Sequence, residues 1–291
     1  MYPASFEYHS PATVAEVLAL LDKHQDDAKV IAGSQSLVPL MKLRLSQPKH
    51  VIDLRKLPGL VGVREGKGGL EIGAMTTHDA LDKDALLRSK LPILAEAAGH
   101  IGDRQIRNQG TIGGSLAHAD PAADWPAVTL ACDASVKLVG KGGERVVKIE
   151  DFIVGPLTTT LEPGELLVQV IVPIPAGRVG GAYEKYPHPA SRFALVGVAA
   201  VLTLDKAGSV QAARVVIAGM GARASRASGI EAALAGRKPD AATLKAAAQH
   251  ATAGLEVSDD AGGSVAYKTQ LAAVVAERAL VKAAAQAEKA R

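Results

Sequence analysis

The sequence predicts an α+β protein of two parts, because strand-like and helix-like segments alternate at first and then change their order at one break. Apolar runs of strand length alternate with segments of helical i, i+3, i+4 periodicity as far as residue 131. Residues 173–181, PIPAGRVGG, are rich in proline and glycine and favour a domain boundary. Three strand-like runs follow this break before any helix does. We therefore expect one domain over residues 1–176 and a second, α+β domain over residues 177–291.

The composition predicts a globular protein with neither a nucleic-acid partner nor a membrane span. Hydrophobic residues make up 48% of the chain and charged residues 22%, which is enough for a sizeable core. The net charge is only +3, and 3% aromatic residues are too few for a base-stacking surface. The longest apolar run, 193–204, is too short to cross a bilayer. The first residues resemble no signal peptide, so we expect a cytoplasmic location.

Cys132 is the single cysteine, and this restricts the chemistry of the chain. One thiol cannot form an internal disulfide, hold an iron–sulfur cluster or complete a structural zinc site of the cysteine type. Its apolar setting, LACDA, predicts a buried and unreactive thiol.

The elements of the first part follow from local patterns. Residues 13–24 predict a helix, because apolar residues recur at Val14, Val17, Leu18 and Leu21 and a Thr13–Glu16 capping box precedes them. Further helices are expected after residue 36 and over 77–87, 92–100 and 121–131, with strands at 29–31, 50–54 and 70–72. The last of these helices would begin with Asp120 as its cap and Pro121 as its first residue.

The remaining elements include a hairpin and a helical C-terminus. Residues 135–140 and 144–149 flank a GKGG turn, which predicts two paired strands, and 165–172 reads as a further strand. Beyond the break, strands are expected within 181–187, 193–205 and 209–219, and helices over 225–235, 240–253 and 264–288. Tyr267, Leu271, Val274 and Val275 mark the apolar face of the last helix.

Two glycine-containing turns are the candidate binding elements. Five glycines lie between Gly99 and Ser115, which favours a backbone wrapped closely around a ligand, although a long surface loop is the alternative. The second turn, residues 32–36, joins a strand to a helix and could equally be a simple connection. Together the turns could clamp a dinucleotide diphosphate. Neither has the GxGxxG spacing, and no lysine follows as it would in a P-loop.

Other constellations are weaker. Residues 219–224, GMGARA, match GxGxx[GA] but lack the βαβ unit and the acidic residue of a dinucleotide site, so we interpret the match as fortuitous. His118, Asp120 and Asp124 could hold a metal ion, but helix capping by Asp120 is the more ordinary explanation. Asp124, one turn inside the predicted helix, could accept hydrogen bonds from ligand hydroxyls. The sequence predicts no metal site and no catalytic triad.

Three segments resemble the FAD-binding medium subunit of the molybdenum hydroxylases, of the carbon monoxide dehydrogenase and xanthine dehydrogenase type. They are AGSQSLVPLMKLRL at 32–45, IGAMTTH at 72–78 and IGDRQIRNQGTIGGSLAHADPAAD at 101–124, and the likeness extends over nearly the whole chain. It implies a PCMH-type, vanillyl-alcohol-oxidase-like FAD-binding domain of two α/β subdomains, about 1–56 and 57–176. A smaller C-terminal α+β domain with a three-stranded antiparallel sheet and helices would follow.

The resemblance also implies a set of FAD-binding residues. The two turns would hold the diphosphate through backbone N–H groups, Ile101 and Gly102 would border the flavin, and Asp124 would bind hydroxyls. Leu161, Lys185 and Phe193 would lie near the rings. The turn residues concerned are Ala32, Gly33, Ser34, Gln35, Ser36, Leu37, Thr111, Gly113, Gly114 and Ser115. Ser34 and Ser115 depart from the usual AGGQS and TIGGN, and Ser34 would weaken binding if its φ is positive.

The implied function is electron transfer, with no catalytic acid or base from this chain. Electrons would come from two [2Fe–2S] clusters of a small subunit, reduced by a large molybdopterin subunit, and would leave through FAD to NAD, a quinone or oxygen. The subunits would assemble as a dimer of heterotrimers, and Arg104 or Arg107 could face the iron–sulfur partner. The alternatives are a self-contained FAD-dependent oxidase, with His118 or His188 as base, and a non-catalytic assembly subunit.

Overall fold

The computed structural model describes residues 1–260 and 262–290, which form three sheets with flanking helices and one two-stranded ribbon. The strands are β1 Glu7–His9, β2 Ala28–Ile31, β3 His50–Asp53, β4 Val63–Gly66, β5 Gly69–Gly73, β6 Ser135–Gly140, β7 Gly143–Lys148, β8 Ile153–Gly155, β9 Thr158–Thr159, β10 Leu166–Val172, β11 Arg178–Pro187, β12 Ala194–Leu204, β13 Val210–Ala218 and β14 Ser225–Arg226.

The helices are mostly short, apart from the first and the last. They are α1 Val14–His24, α2 Leu37–Lys42, α3 His78–Lys83, α4 Ala85–Lys90, α5 Pro92–His100, α6 Arg104–Gln109, α7 Ile112–His118, α8 Asp124–Ala131, α9 Ile149–Phe152, α10 Ser228–Leu234, α11 Ala241–Ala248 and α12 Val265–Lys289. Across residues 1–260 and 262–290, no helix combines the length and apolar character that a membrane span needs.

The first sheet is parallel, in the order β1-β3-β2. Helix α1 packs on it through the buried Val17, and the Thr13 hydroxyl caps this helix by accepting from the Glu16 N–H at 3.2 Å. Strand β2 leads through residues 32–36 into α2, as the sequence predicts. These residues therefore lie at the carboxyl end of the sheet, where parallel sheets commonly bind ligands.

The second sheet is antiparallel, in the order β4-β5-β10-β6-β7. The predicted hairpin is present, since β6 and β7 pair from Ser135–Lys148 to Gly140–Gly143. One face of the sheet buries Leu70, Ile72 and Val170 in a core that includes residues of α5, α7 and α8. This core positions α7 beside the residues that follow β2.

The C-terminal sheet is antiparallel, in the order β11-β12-β13-β14, and has a core on each face. Tyr183 and Ala199 point into the core shared with α5 and α8, whereas Val196 and Val198 join the core under α12. The sequence predicts three of these strands. The fourth, Ser225–Arg226, is an edge strand of two residues, too short to leave a periodic pattern.

Three predicted segments differ in the structure. Helix α8 begins at Asp124 rather than at Pro121, because Asp120 closes a local turn by accepting from the Ala122 N–H at 2.9 Å. The proline within its first turn is Pro126. The helix predicted over 77–87 is divided at Asp84, whose extended backbone ends α3 and whose carboxylate caps α4.

The glycine-rich stretch is mostly helical rather than a loop, because it contains α6 and α7. Asp103 caps α6 by accepting from the Ile106 N–H, and Thr111 caps α7 by accepting from the Gly114 N–H. Strong caps at both starts favour these two short helices, and α7 forms despite its two glycines, Gly113 and Gly114.

The buried face of α12 agrees only in part with the predicted one: Val275 is buried and Leu271 packs on the core, as predicted. Tyr267 and Val274 are more than two-fifths exposed, whereas the buried face carries mainly alanine from Ala272 to Ala287. Alanine contributes little to an apolar pattern, so the larger side chains misled the prediction. Its small size lets the helix backbone approach the sheet closely at Gly180, where a Cβ would lie only 2.0 Å from the Ala283 carbonyl oxygen.

We predict that Gly180→Ala lowers stability by about 1–3 kcal/mol or more, because the added methyl group must push α12 away from β11. The matched control is Gly142→Ala, where a Cβ meets nothing within 4 Å. Denaturant unfolding of both variants measures the difference. Equal midpoints for the two variants would show that α12 does not press on this strand.

Candidate functional site

A cavity of about 520 Å³ lies between the carboxyl end of the first sheet, α7 and Phe193, which precedes β12 of the C-terminal sheet. Residues 32–37 form one wall, and residues of the 110–118 segment form the opposite wall. The structure therefore brings the two predicted turns to opposite sides of one cavity. Phe193, two-fifths exposed, and Leu161 lie on its apolar rim.

The first turn presents a run of unused hydrogen-bond donors. In the described part of the chain, no acceptor is found for the backbone N–H groups of residues 33–37. Nearly all N–H groups in folded proteins are paired or hydrated, so five consecutive ones that line a cavity suit an external acceptor. Such a concave run of N–H groups typically binds an anion.

Ser34 gives this turn its shape by adopting a left-handed backbone with φ of +63°. Its hydroxyl lies 3.5 Å from the Ala32 carbonyl oxygen, which is a weak contact. A left-handed non-glycine residue costs roughly 1–2 kcal/mol. The condition under which the sequence predicts a cost at Ser34, a positive φ, is therefore met.

The second turn differs from the first, because its N–H groups already have acceptors. The Ile112 and Gly113 N–H groups donate to the carbonyl oxygens of Thr76 and Ala74 at 3.2 and 2.9 Å. The Gly114 N–H donates to the Thr111 hydroxyl oxygen at 3.1 Å. Contrary to expectation, this turn offers a ligand its hydroxyls and its close-packed backbone rather than a row of N–H groups.

The two turns contact each other through backbone atoms. A Cβ on Gly33 would lie 2.3 Å from the Gln109 carbonyl oxygen and 2.6 Å from the Gly110 Cα. Gly113 packs as closely on Ala74, since its Cβ would lie 2.5 Å from the Ala74 Cβ. Only glycine fits at either position, so the glycines fix the width of the cavity.

Asp124 lies at the cavity wall in a buried polar network. The Tyr183 hydroxyl donates to Oδ1 at 2.5 Å, and the Lys185 ammonium donates to Oδ2 at 2.9 Å and to the His100 carbonyl oxygen at 3.1 Å. The side chains of Asp124 and Lys185 are 5% and 2% exposed. Burial raises the pKa of Asp124, while Lys185 and Tyr183 act in the opposite direction.

Fourteen of the sixteen predicted FAD-binding residues line this cavity; Gly102 and Lys185 do not. Lys185 lies behind Asp124, as its ion-pair partner. Gly102 has φ of +48°, and its carbonyl oxygen accepts from the Arg192 Nε at 3.1 Å and from Arg107. It therefore supports the adjacent Ile101, which does line the cavity.

Sequence reasoning missed His78, which also lines the cavity. The Trp125 indole N–H donates to its Nδ1 at 3.1 Å. Because an indole can only donate, Nδ1 carries no proton and Nε2 is the protonated nitrogen of the neutral ring. Burial, and secondarily Arg107, lowers the pKa of His78 to about 4, so the ring is neutral at physiological pH. The signal in the sequence was its place at the end of IGAMTTH.

The structure supports no separate function for the other candidate residues of the sequence analysis. Residues 219–224 follow β13 in an antiparallel sheet, so they form no βαβ unit. Burial raises the pKa of the Cys132 thiol to about 12, as expected for an unreactive cysteine. His118 and Asp120 line the cavity, but Asp124 is committed to Lys185 and Tyr183.

Comparison with known families accounts for both parts of the chain. A family model described as the FAD binding domain in molybdopterin dehydrogenase matches residues 4–175. A second, described as the CO dehydrogenase flavoprotein C-terminal domain, matches residues 181–283. The chain belongs to the family of FAD-binding subunits of the molybdenum hydroxylases. It is an oxidoreductase subunit, and FAD is its cofactor.

Individual relatives are similar over almost their full length. The carbon monoxide dehydrogenase medium chain of Hydrogenophaga pseudoflava is 40% identical, over 96% of this chain and 97% of that one. The 6-hydroxypseudooxynicotine dehydrogenase complex subunit alpha of Paenarthrobacter nicotinovorans is also 40% identical, over 97% and 96%. The solved quinoline 2-oxidoreductase of Pseudomonas putida 86 matches with a TM-score of 0.93 at 36% identity, covering 99% of both chains.

We predict that Ser34→Gly stabilises the protein by about 1 kcal/mol, because glycine adopts a positive φ without the strain of a Cβ. Ser36→Gly is the control, because Ser36 has φ of −111° and its replacement relieves no strain. That control should be neutral or destabilising. Denaturant unfolding checks both, and a Ser34→Gly variant no more stable than the parent protein would contradict the argument.

We predict that Lys185→Met destabilises the protein by about 3–5 kcal/mol at neutral pH, because it leaves the Asp124 carboxylate buried without a partner charge. Loss of the ammonium raises the pKa of Asp124 further. A raised carboxyl pKa in the folded state favours folding at low pH and loses that contribution as the pH rises through it. The deficit should therefore shrink on acidification.

Measurement of the unfolding free energy between about pH 5 and pH 8 tests this dependence. The control is Lys148→Met, which removes a well-exposed ion pair to Asp133 and should cost no more than about 1 kcal/mol. A Lys185→Met deficit independent of pH would show that Asp124 does not titrate in response.

Proposed function

We propose that this chain is the electron-transfer subunit of a molybdenum hydroxylase, passing electrons from a partner's iron–sulfur clusters through FAD to an external acceptor. When bound, FAD supplies a redox centre that exchanges electrons singly or in pairs. The observation that carries the proposal is the row of N–H groups at residues 33–37, which have no acceptor among the described residues, in a chain of this family. Cys132, the single cysteine, cannot hold a cluster, so clusters must belong to another chain.

The residues of the first turn fit an anionic diphosphate. These residues line the cavity, their N–H groups carry partial positive charge, and Lys29 also lies on the lining. The hydroxyls of Thr111 and Ser115 stand on the opposite wall. In this proposal the first turn binds the diphosphate through N–H groups, and the second closes the cavity from the other side.

Asp124 and His78 orient the bound cofactor in this proposal. Asp124 has acceptor capacity beyond its two bonds to Tyr183 and Lys185, because a carboxylate accepts up to about four hydrogen bonds. His78 has the opposite polarity and offers its Nε2 proton. Asp124, as an acceptor, would bind ligand hydroxyls, and His78, as a donor, would bind ligand carbonyl groups.

The partners in this proposal are an iron–sulfur small subunit and a molybdopterin large subunit, assembled as a dimer of heterotrimers. Its support is that relatives are named medium chains or complex subunits. Arg104 is exposed and free to face the iron–sulfur partner, whereas Arg107 donates to the Ile101 and Gly102 carbonyl oxygens. The acceptor, whether NAD, a quinone or oxygen, and the cytoplasmic location stay predictions.

The substrate of the complex belongs to another subunit in this proposal. Relatives named for carbon monoxide and for 6-hydroxypseudooxynicotine are equally similar to this chain, at 40% identity. A chain that selected the substrate would be more similar to one of them. We therefore interpret the chain as a subunit that removes electrons from the complex, whichever substrate another subunit oxidises.

The experiment isolates the complex formed with co-purifying chains and compares it with one carrying Gly113→Val. The valine clashes with Ala74 and should displace α7 from the cavity, so that FAD is lost. Gly142→Val is the control, because nothing lies within 4 Å of its Cβ. After limited reduction with dithionite, addition of NAD⁺, a soluble quinone or oxygen should reoxidise the clusters only in complexes that contain FAD.

Equally fast reoxidation of the clusters without FAD would overturn the proposed route. Oxidation of an organic substrate by the FAD-loaded chain alone would favour the self-contained oxidase, for which His118 at the cavity is the available base. Failure of the folded parent chain to take up FAD would favour a non-catalytic assembly subunit.

A further inference from the structure

Three histidines that are distant in sequence meet beside the start of β3 in the first sheet. His9 ends β1, His24 ends α1 and His50 begins β3. One ligand nitrogen from each lies within 4.8 Å of the other two. The register pairs Glu7 with His50, so the Glu7 side chain emerges beside the same group. We call these four residues the histidine cluster.

The distances within the histidine cluster suit a metal ion of tetrahedral preference. His9 Nε2 and His50 Nδ1 are 3.1 Å apart. The Glu7 carboxylate oxygens lie 3.7 Å from His9 Nε2 and 3.4 Å from His50 Nδ1. Ligand atoms at zinc–nitrogen distances of 2.0–2.1 Å stand about 3.3 Å apart along a tetrahedral edge. The three separations therefore lie close to that value.

Burial supports the same interpretation. The side chains of His9 and His50 are 16% and 17% exposed. His24 Nε2 is buried and has no hydrogen-bond partner among the described residues. A buried unpaired nitrogen is uncommon and calls for a partner.

One rearrangement is needed for His24 to act as a ligand. Its ring stacks on His50 with centroids 3.6 Å apart and an interplanar angle of 30°. Ring nitrogens coordinate in the ring plane, so two stacked imidazoles point in nearly parallel directions. His24 must turn about its side-chain torsions to direct a nitrogen between His9 and His50.

We propose that the histidine cluster binds one divalent transition-metal ion of the Zn²⁺ class, with His9, His24 and His50 as ligands and Glu7 as the fourth. Imidazole and carboxylate ligands in this number match zinc preferences. The ion cross-links β1, α1 and β3. It lies at the opposite end of the sheet from residues 32–36, because Ala28 pairs with His50 whereas Ile31 leads into the turn. Its role is structural and independent of FAD binding.

The test uses the full chain with FAD bound, without a polyhistidine tag, after treatment with a chelator. Calorimetric titration with Zn²⁺ should give one site per chain, and Co²⁺ should produce the visible spectrum of a four-coordinate ion. Zn²⁺ should also raise the melting temperature of the parent chain. Absence of a stoichiometric site for both ions would overturn the proposal.

Variants locate the site. Loss of a residue that only hydrogen-bonds to a metal ligand typically weakens metal binding by roughly 10-fold to 100-fold. His24→Asn removes a ligand and should therefore weaken Zn²⁺ binding by more than this. Glu7→Gln should weaken Zn²⁺ binding less than His24→Asn does. Glu7 is exposed, so its replacement also provides a variant with little risk to folding. The control is His250→Asn, an exposed histidine of the C-terminal part that should bind Zn²⁺ as the parent does. Unchanged binding in both His24→Asn and Glu7→Gln would overturn the assignment.

Discussion

The contact between Gly33 and the Gln109–Gly110 backbone is the constraint on which the cavity depends. The first turn belongs to a parallel sheet near the N-terminus, and the second lies between two short helices supported by a different, antiparallel sheet. A single Cβ would separate them, because it would lie 2.3 Å from a carbonyl oxygen. The position of one sheet relative to the other is therefore set by the absence of a side chain.

The two walls of the cavity have different chemistry despite their similar glycine content. Hydrogen bonds within the protein consume the N–H groups of residues 112–114, so that wall is rigid and already satisfied. Within residues 1–260 and 262–290, the N–H groups of residues 33–37 have no such acceptors. Asp124, the acidic lining residue that is buried, is held by Lys185 and Tyr183, which limits its repulsion of an anion nearby. The wall at residues 112–114 thus positions the ligand, and the wall at residues 33–37 binds its negative charge.

Much of the fold could be predicted because local chemistry determined it. Thr13 with Glu16, the GKGG turn and the strand before residue 32 are short-range signals, and all three elements are present. The start of α8 was predicted wrongly because Asp120 and Pro121 form a turn as readily as a helix cap. The face of α12 was predicted only in part, since Val275 and Leu271 pack on the core but Tyr267 and Val274 do not, because most of its buried residues are alanines.

The site was predictable in its backbone and less so in its side chains. Clustered glycines indicate that the backbone packs closely on a ligand or on another segment, so the sequence identified both walls of the cavity. The roles of Lys185, His78 and the histidine cluster depend on contacts between residues 41 to 61 positions apart, which no single stretch of sequence contains. A positive φ at Ser34 is equally invisible, since serine does not ordinarily adopt it.

The C-terminal sheet contributes to two cores at once, and this has a consequence for cooperativity. Alternate residues of β12, such as Val198 and Ala199, pack against different halves of the molecule. Tyr183 and Lys185 of β11 also complete the buried charge network of α8. Two family models divide the sequence here, yet neither half can bury its apolar surface without the other. We therefore expect the two parts, although two separate family models match them, to unfold together as one cooperative unit.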